Sequence, residues 1–252
     1  MRTGILLGGA ALLLAACSSG QPAATPGSAT LLPGQQPIRV LMLTATAGFR
    51  HDSIPVARDV MAGLAASGGG FTVTATEDLS SLTSSSLSSY DVVFFALTSG
   101  ELALTAEQKA AIVAFVSGGK GYLGVHSASD TLYEWPDYGR LVGAYFKEHP
   151  WTRQATVVVE DPSHPATAGL GERFGLMEEY YTFRENPRSR VQVLLRLDSA
   201  SVGADGDYPL AWAQSFGAGR AYYNALGHFA DTWRDTRFQR QLAGAIRWAA
   251  QR

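Results

Sequence analysis

Short apolar segments alternate with amphipathic segments in the first half of the chain, and this alternation is the strongest constraint on the fold. The apolar segments are Ile38–Thr44, Phe71–Thr76, Asp91–Leu97 and Lys120–Val125. The first and third are nearly continuous apolar runs, as expected for strands that are buried on both faces. Strands that alternate with helices favour an α/β fold with a doubly wound, mostly parallel sheet.

Helix signals lie between these segments. Ser53–Ala66 has Pro55 in its first turn, apolar residues at mostly helical spacing, and a run of three glycines after it. Thr105–Gln108 matches a capping box ahead of an apolar stretch, and Gly118–Gly119 ends that stretch. In a parallel sheet of this kind, ligands bind beyond the carboxyl ends of the strands.

The second half of the chain is less regular. Its strand-like runs are Gln154–Val159, Val191–Leu197, Leu210–Ser215 and Arg220–Leu226. The last two runs flank a Phe-Gly-Ala-Gly turn and predict a C-terminal β-hairpin. Apolar residues at intervals of three to four predict a final helix over Thr236–Ala250.

The composition limits the partners and the kinds of site that are expected for this chain. The chain has 252 residues, enough for one α/β domain or two small ones. Twenty Lys and Arg residues against 22 Asp and Glu residues leave no basic excess, so no nucleic acid is expected as a partner. The single cysteine excludes an intramolecular disulfide framework, a cysteine-rich metal site and a CxxC pair. Histidine, carboxylate, hydroxyl and arginine side chains remain for catalysis.

The first residues form an export signal. Arg2 precedes an apolar run from Ile5 to Ala16, and the run ends in Leu-Ala-Ala-Cys at Cys17. This ending resembles the bacterial lipobox, in which the cysteine is lipidated; the alternatives are an ordinary signal peptide or a membrane helix, for which the run is short. We therefore predict a lipoprotein signal peptide over 1–17, a flexible linker rich in Pro, Gly and Ser over 18–37, and a folded domain over 38–252. The expected location is extracytoplasmic, with the lipid anchor as the only membrane contact.

Most of the histidines share one kind of position in the predicted fold. Of the five, His51, His126, His164 and His228 lie in loops next to predicted strand ends, and His149 lies between predicted elements. In a parallel sheet His51 and His126 project from the same edge. For any one of them alone, capping, packing or simple hydrogen bonding is the more common role.

Several side chains near these histidines have two interpretations. With a carboxylate such as Glu179, His51 and His126 offer ligands for a divalent metal ion, although no standard metal motif is present. Ser127 has the context of a nucleophile elbow but lacks its glycine frame. Arg50 is either a ligand contact or half of a surface ion pair. Aromatic residues of the same loops suit either sugar stacking or core packing, and they are Tyr133, Trp135, Tyr138, Tyr145, Trp151, Tyr180 and Tyr181.

These segments together carry a family resemblance. From Ile38 to Ala250 the chain resembles the ThuA-like (trehalose utilisation) family. The matching segments include Gly48–His51, Gly124–Thr131, Tyr138–Phe146, His149–Pro150, His164–Thr167, Glu179–Tyr181, Asn186–Arg188 and Ala225–His228. Two positions depart from the family pattern: Ala45 stands where a lysine is frequent, and Tyr208 stands where a histidine precedes the Pro-Leu-Ala-Trp segment.

The resemblance implies a flavodoxin-like sheet similar to that of class I glutamine amidotransferases, without their catalytic cysteine. It also implies a role in carbohydrate metabolism, in the catabolism of trehalose-type disaccharides through 3-keto-glycosides. We therefore expect an exported, lipid-anchored hydrolase or lyase that acts on a 3-keto-glycoside or related sugar. A non-catalytic sugar-binding lipoprotein is the alternative, and a homo-oligomer is left open.

The expected site uses the histidine loops. A ketone at C3 of a sugar acidifies the proton at C2, so one base and one electrophile for the enolate suffice for elimination at C1. The expected catalytic residues are His126, His51 and Glu179, with His51 and His126 as the ligands if a divalent metal is present. The expected substrate contacts are Arg50, Ser127, His149, Tyr181 and His228.

Overall fold

The computed structural model describes residues 36–252 together with Met1 and Gly4. The predicted signal peptide, Cys17 and almost all of the predicted linker lie outside the described residues. Within the described part, no helix combines the length and apolar character that crossing a membrane requires.

Nine strands of the described part of the chain form one sheet. They are β1 (Ile38–Leu43), β2 (Phe71–Thr76), β3 (Val92–Ala96), β4 (Gly121–Val125), β5 (Phe146–Val159), β6 (Arg173–Phe183), β7 (Gln192–Leu197), β8 (Pro209–Phe216) and β9 (Gly219–Asn224). Their order across the sheet is β2-β1-β3-β4-β9-β8-β7-β5-β6. The first five strands in this order are β2, β1, β3, β4 and β9. With β9 counted as the fifth strand of that half, they have the 2-1-3-4-5 order of flavodoxin-like sheets.

Six α-helices accompany the sheet in the described residues. They are α1 (Ile54–Ala66), α2 (Ser84–Leu87), α3 (Ala106–Ser117), α4 (Pro136–Val142), α5 (Ala230–Arg234) and α6 (Thr236–Ala249). The α3 capping box is confirmed. The Thr105 hydroxyl oxygen accepts the backbone N–H of Gln108, and the Gln108 side-chain oxygen accepts the backbone N–H of Thr105. Pro55 lies in the first turn of α1, where its missing N–H costs nothing.

The strand pairing changes from parallel to antiparallel at β9. Strands β2, β1, β3, β4 and β9 pair in parallel, whereas β9, β8, β7, β5 and β6 pair antiparallel. The predicted C-terminal hairpin is confirmed, with Phe216 paired to Gly219 across the turn. The expectation of a mostly parallel sheet holds for only one half, because β7, β5 and β6 extend the antiparallel half beyond that hairpin.

The long β5–β6 hairpin is the part that the sequence pattern did not predict. Only the last five residues of β5 alternate, between buried and partly buried, and its first nine residues are exposed or partly exposed. The apolar pattern at Gln154–Val159 therefore marks only the end of a 14-residue strand. His149, expected between elements, lies within β5, near the register shifts of the β5–β6 pairing.

Helices cover the parallel strands on both sides. Helix α1 contacts α5 and α6, helix α2 contacts α3, and both α6 and α3 pack against β4 and β9. Every residue of β3 and β4 is accordingly buried. The carboxyl ends of β1, β4 and β9 meet at one edge, and β6, four antiparallel pairings away from β9, runs in the same direction.

Candidate active site at the histidine cluster

His126 is the most tightly fixed member of the site. It follows β4 directly, is fully buried and has a φ of 54°, which is uncommon for a residue other than glycine. Its Nδ1 lies 2.8 Å from the Ala225 carbonyl oxygen, and its own carbonyl accepts a 2.7 Å hydrogen bond from the Tyr223 hydroxyl. A carbonyl oxygen only accepts, so the Nδ1 of His126 carries the proton in this bond. In neutral His126 the lone pair is therefore on Nε2.

Three side chains meet at that Nε2. His126 Nε2 lies 3.2 Å from His228 Nδ1 and 3.4 Å from Glu179 Oε2. The third side of the triangle, His228 Nδ1 to Glu179 Oε2, is 3.0 Å. The residues come from the loop after β4, the loop after β9 and strand β6, so tertiary structure alone brings them together. We call these three residues together with His51 the histidine cluster.

His51 completes the cluster from the loop after β1. Its ring meets those of His126 and His228 edge-on, with centroids 4.7 and 5.1 Å apart, and Ser127 Oγ lies 3.5 Å from its Nδ1. Burial, together with repulsion from the other two imidazoles, lowers the pKa of His51 to about 3. His51 is consequently a neutral imidazole at physiological pH.

Glu179 is a buried carboxylate that faces imidazoles. Burial alone would raise the pKa of Glu179, but its contacts with the imidazoles of His126 and His228 outweigh it and hold that pKa well below its usual range. Conversely, burial would lower the pKa of His228, and its contact with Glu179 raises it. The other carboxylate oxygen lies 3.3 Å from Nδ1 of His149, whose side chain is half exposed.

Three aromatic side chains contact the cluster. The Tyr181 hydroxyl lies 2.9 Å from His126 Nε2 and is buried, which raises the pKa of Tyr181 well above its ordinary value. Phe49 packs edge-on against His51 at 4.8 Å, and it is 65% exposed. Phe229 packs edge-on against His228 at 4.6 Å. Of the three, Phe49 is the ring that is mostly open to solvent.

Glu178 is the residue that sequence reasoning missed. Its fully buried carboxylate accepts four hydrogen bonds, from the backbone N–H groups of Glu179, Gly227 and His228 and from the Thr232 hydroxyl. These bonds join β6 to the loop that carries His228. The Glu-Glu pair in the sequence was the available signal, but nothing in it separates the two roles.

Other residues predicted for the site lie elsewhere or have other partners. Arg50 forms an exposed bidentate ion pair with Glu77, at 2.8 and 3.2 Å. His164 packs against Trp248, with centroids 4.8 Å apart, and its Nδ1 accepts the Ala166 N–H.

The predicted aromatic residues divide into separate groups. Tyr133 pairs with Tyr145, and Trp135 stacks on Tyr138, away from the histidines. Trp151 packs against Tyr208, the position that departs from the family pattern. The Tyr180 hydroxyl donates to the Leu176 carbonyl. Of this predicted set, Tyr181 is the one whose ring contacts the cluster.

A cavity of about 690 Å³ lies between α4 and the β8–β9 turn. Arg140, Arg184 and Arg190 line it, and Arg190 pairs with Glu185 at 3.0 Å. None of its lining residues belongs to the histidine cluster.

Comparison with known proteins agrees with this architecture. Residues 39–249 match the model of the ThuA family, described as trehalose utilisation. A ThuA-like protein of Bacteroides uniformis has a similar structure, with a TM-score of 0.73, 24% identity and coverage of 91% of this chain and 95% of that one. One from Parabacteroides merdae gives 0.70 and 21%, covering 85% and 90% of the two chains.

A more distant neighbour is a cytoplasmic protein of Salmonella typhimurium, with a TM-score of 0.60 and 10% identity over 84% of this chain and 98% of that one. No curated protein matches the sequence. Structural likeness at such identities concerns the fold, whereas the family match spans nearly the whole folded domain. The chain therefore belongs to the ThuA (trehalose utilisation) family.

Proposed function

We propose that this chain is an exported, lipid-anchored enzyme of carbohydrate metabolism that breaks the glycosidic bond of a 3-keto-glycoside or a related trehalose-type sugar. The observation that carries the proposal is the histidine cluster, which assembles ionisable side chains from four separate segments of the chain. Family membership supports a sugar as the substrate class. The lipobox-like sequence that ends at Cys17 supports export and anchoring.

The proposed reaction is a proton abstraction followed by elimination. A base removes the C2 proton, which the neighbouring C3 ketone acidifies. The electron pair left at C2 forms a double bond to C1 as the C1–O bond breaks, and the leaving oxygen takes up a proton. The site must therefore supply a base, an acid, and a positive or hydrogen-bonding group for the enolate oxygen.

The cluster contains groups for each of these tasks. His126 serves either as the base or, if a metal ion is bound, as a ligand of the ion that would polarise the ketone, since Nε2 carries the lone pair of the neutral ring. His51 is held neutral, so one of its ring nitrogens has a lone pair for a hydrogen bond or a metal ion. Glu179 orients His228 and His149, and the half-exposed His149 is accessible to a sugar.

Phe49 offers a surface for the sugar itself. It is a large apolar side chain, 65% exposed, beside a buried imidazole. An aromatic ring in this position provides an apolar platform for the face of a sugar. Arg50 and Ser127 remain proposed substrate contacts, although Arg50 would first have to leave Glu77.

The test is a proton NMR time course. The full chain, purified in detergent, is incubated with trehalose and with 3-keto-trehalose, with and without divalent metal. We expect new sugar signals from wild type and a loss of about a hundredfold or more in rate for His126→Asn. Asn is chosen because it tolerates the left-handed backbone at this position better than Ala does.

The matched control is His164→Asn, a histidine that lies outside the cluster. It should turn over substrate at the wild-type rate. Full activity in folded His126→Asn would contradict the assignment. Unchanged sugar signals with broadened ligand lines would instead indicate a sugar-binding lipoprotein.

The anchor has its own test. Cys17→Ser should move the exported chain from the membrane fraction to the soluble fraction, because the thiol is the proposed attachment point for lipid. A variant that remains in the membrane fraction would contradict the lipoprotein assignment.

A further inference from the structure

We infer that His126 Nε2, His228 Nδ1 and Glu179 Oε2 form one face of a binding site for a divalent transition-metal ion, with His51 as the fourth ligand. Each of the four residues offers one ligand atom, and these atoms lie within 4.8 Å of one another. The inference concerns the site of the proposed function, but it rests on the geometry of that site and not on the sugar reaction.

The spacing of the three atoms fits a single ion. Their separations are 3.2, 3.4 and 3.0 Å. Nitrogen and oxygen ligands at about 2.1 Å from a metal lie about 3.0 Å apart at right angles and about 3.4 Å apart in a tetrahedron. The three separations are therefore compatible with one ion bound by all three atoms.

One hydrogen bond orients the His126 ring, and another must give way to the ion: the Tyr181 hydroxyl, 2.9 Å from Nε2, has to turn away when a metal binds there. The Nδ1 of His126 is committed to the Ala225 carbonyl, which fixes the ring and directs the Nε2 lone pair into the cluster. A backbone carbonyl behind the ring is the usual support of a metal-binding histidine. For His228 to bind through Nδ1, the proton on that atom must pass to solvent, and Nε2 then carries the ring proton.

Glu178 holds two of the ligands in place. Its buried carboxylate accepts the N–H groups of Glu179 and His228, and thereby fixes the backbone of both. Its further bonds to Gly227 and Thr232 secure the intervening loop. Outer carboxylates of this kind typically change metal affinity by about 10–100-fold when they are lost. Glu178 is thus a positioning residue for the site.

Charge also favours a cation. Glu178 and Glu179 are adjacent buried carboxylates. Glu178 is satisfied by neutral N–H and O–H donors, whereas the contacts of the Glu179 carboxylate are imidazole nitrogens of His126, His149 and His228. Lone pairs of the imidazole nitrogens and of the Glu179 carboxylate repel one another when they face each other, and a dication between them attracts them all. A set of imidazoles with one carboxylate selects ions such as Zn²⁺, Co²⁺ or Mn²⁺ over Mg²⁺ and Ca²⁺.

The test measures metal directly. The full chain is stripped with a chelator, dialysed, and titrated with Zn²⁺ and separately with Mg²⁺ by calorimetry, and Co²⁺ binding is followed by visible absorption. We expect one equivalent of Zn²⁺ per chain, far weaker binding of Mg²⁺, and a Co²⁺ ligand-field band. His126→Asn, His228→Gln and Glu179→Gln should each lower Zn²⁺ affinity by at least about 10–100-fold.

Controls separate ligand loss from misfolding. His164→Asn should bind Zn²⁺ as wild type does, and circular dichroism verifies the fold of every variant. The inference is overturned if folded wild type binds no stoichiometric Zn²⁺, or if the folded His228→Gln and Glu179→Gln variants keep wild-type affinity. Stoichiometric Zn²⁺ without sugar turnover would support the metal site and contradict the proposed reaction. Sugar turnover by folded wild type that binds no stoichiometric Zn²⁺ would support the reaction and contradict the metal site.

Discussion

Two buried carboxylates of this sheet have opposite surroundings. Asp91, just before β3, and Glu179, within β6, are each 8% exposed. Asp91 accepts the Arg39 backbone N–H at 3.0 Å and contacts the Arg39 guanidinium at 3.3 Å and the Lys120 ammonium at 2.8 Å. The contacts of the Glu179 carboxylate are imidazole nitrogens.

The difference separates a structural ion pair from a reactive site. Arg and Lys are permanent cations that have no lone pair to offer, so the Asp91 group is complete and chemically inert. Imidazoles change protonation state, accept protons and bind metals at physiological pH. The two carboxylates are equally exposed, so their partners, and not their burial, indicate which one takes part in chemistry. The predictions below test that contrast.

The largest effect is expected for Glu179→Gln. Loss of the charge should reduce turnover of 3-keto-trehalose by about a hundredfold or more, because the imidazoles of His126 and His228 lose their anionic partner. The free energy of unfolding should also fall, because the low pKa of the Glu179 carboxyl means that its charge stabilises the folded state. Urea unfolding and the NMR assay measure the two quantities. A large loss of stability with retained turnover would reverse the contrast.

Asp91→Asn should lower stability without lowering turnover. Loss of the charged acceptor for Arg39 and Lys120 should lower the free energy of unfolding by about 2 kcal/mol. Turnover at a temperature where the variant is folded should equal that of wild type. The control is Asp137→Asn, which removes an exposed pair with Arg140 and should cost about 0.5 kcal/mol or less.

The Asp91 contribution should depend on pH with a definite sign. Burial alone would raise the pKa of Asp91, but hydrogen bonds from Arg39 and Lys120 outweigh it and hold the pKa well below its usual range. The stabilisation is then complete above the unfolded pKa of about 4 and is lost as the pH falls through the lower folded pKa. The stability difference between wild type and Asp91→Asn should accordingly narrow below about pH 4 in urea titrations. A constant difference down to pH 2 would contradict the assignment.

The smallest effect is expected at the solvent side of the cluster. Phe49→Ala should raise KM several-fold with little change in kcat, a cost of about 1 kcal/mol, because it removes a platform that binds substrate and transition state alike. Phe216→Ala, at the β8–β9 turn on the opposite edge of the sheet, is the matched control and should leave KM unchanged. Equal KM values for wild type and Phe49→Ala would remove Phe49 from the sugar site.

The parallel half of the molecule was predictable because its signals are local. Each buried strand is a short apolar run, the Thr105–Gln108 capping box marks the start of α3, and Pro55 marks that of α1. Parallel topology then indicates that the loops holding His51 and His126 lie at one edge. The structure brings the two rings together, with centroids 4.7 Å apart.

The carboxylate side of the cluster was not predictable in this way. Strand β6 approaches the histidines through the β5–β6 hairpin, whose register shifts are set by long-range pairing. The polar first part of β5 carries no alternation that reveals it. Glu178 and Glu179 are adjacent in sequence and alike in chemistry, and only tertiary contacts with Gly227 and Thr232 distinguish the supporting residue from the reactive one.

The central claim is that the histidine cluster takes the C2 proton of a 3-keto sugar, and isotope exchange tests it most directly. Wild type and His126→Asn are incubated with 3-keto-trehalose in D₂O, and the C2 position of the released keto sugar is read by NMR. We expect wild type to remove the C2 proton, which leaves either a 1,2-unsaturated keto sugar with no hydrogen at C2 or, where solvent then adds across the double bond, a keto sugar with deuterium at C2. At matched stability, loss of the C2 proton should be at least about a hundredfold slower with His126→Asn. Release of sugar that retains its C2 proton, or equal rates of C2 proton loss with both proteins, would contradict the claim.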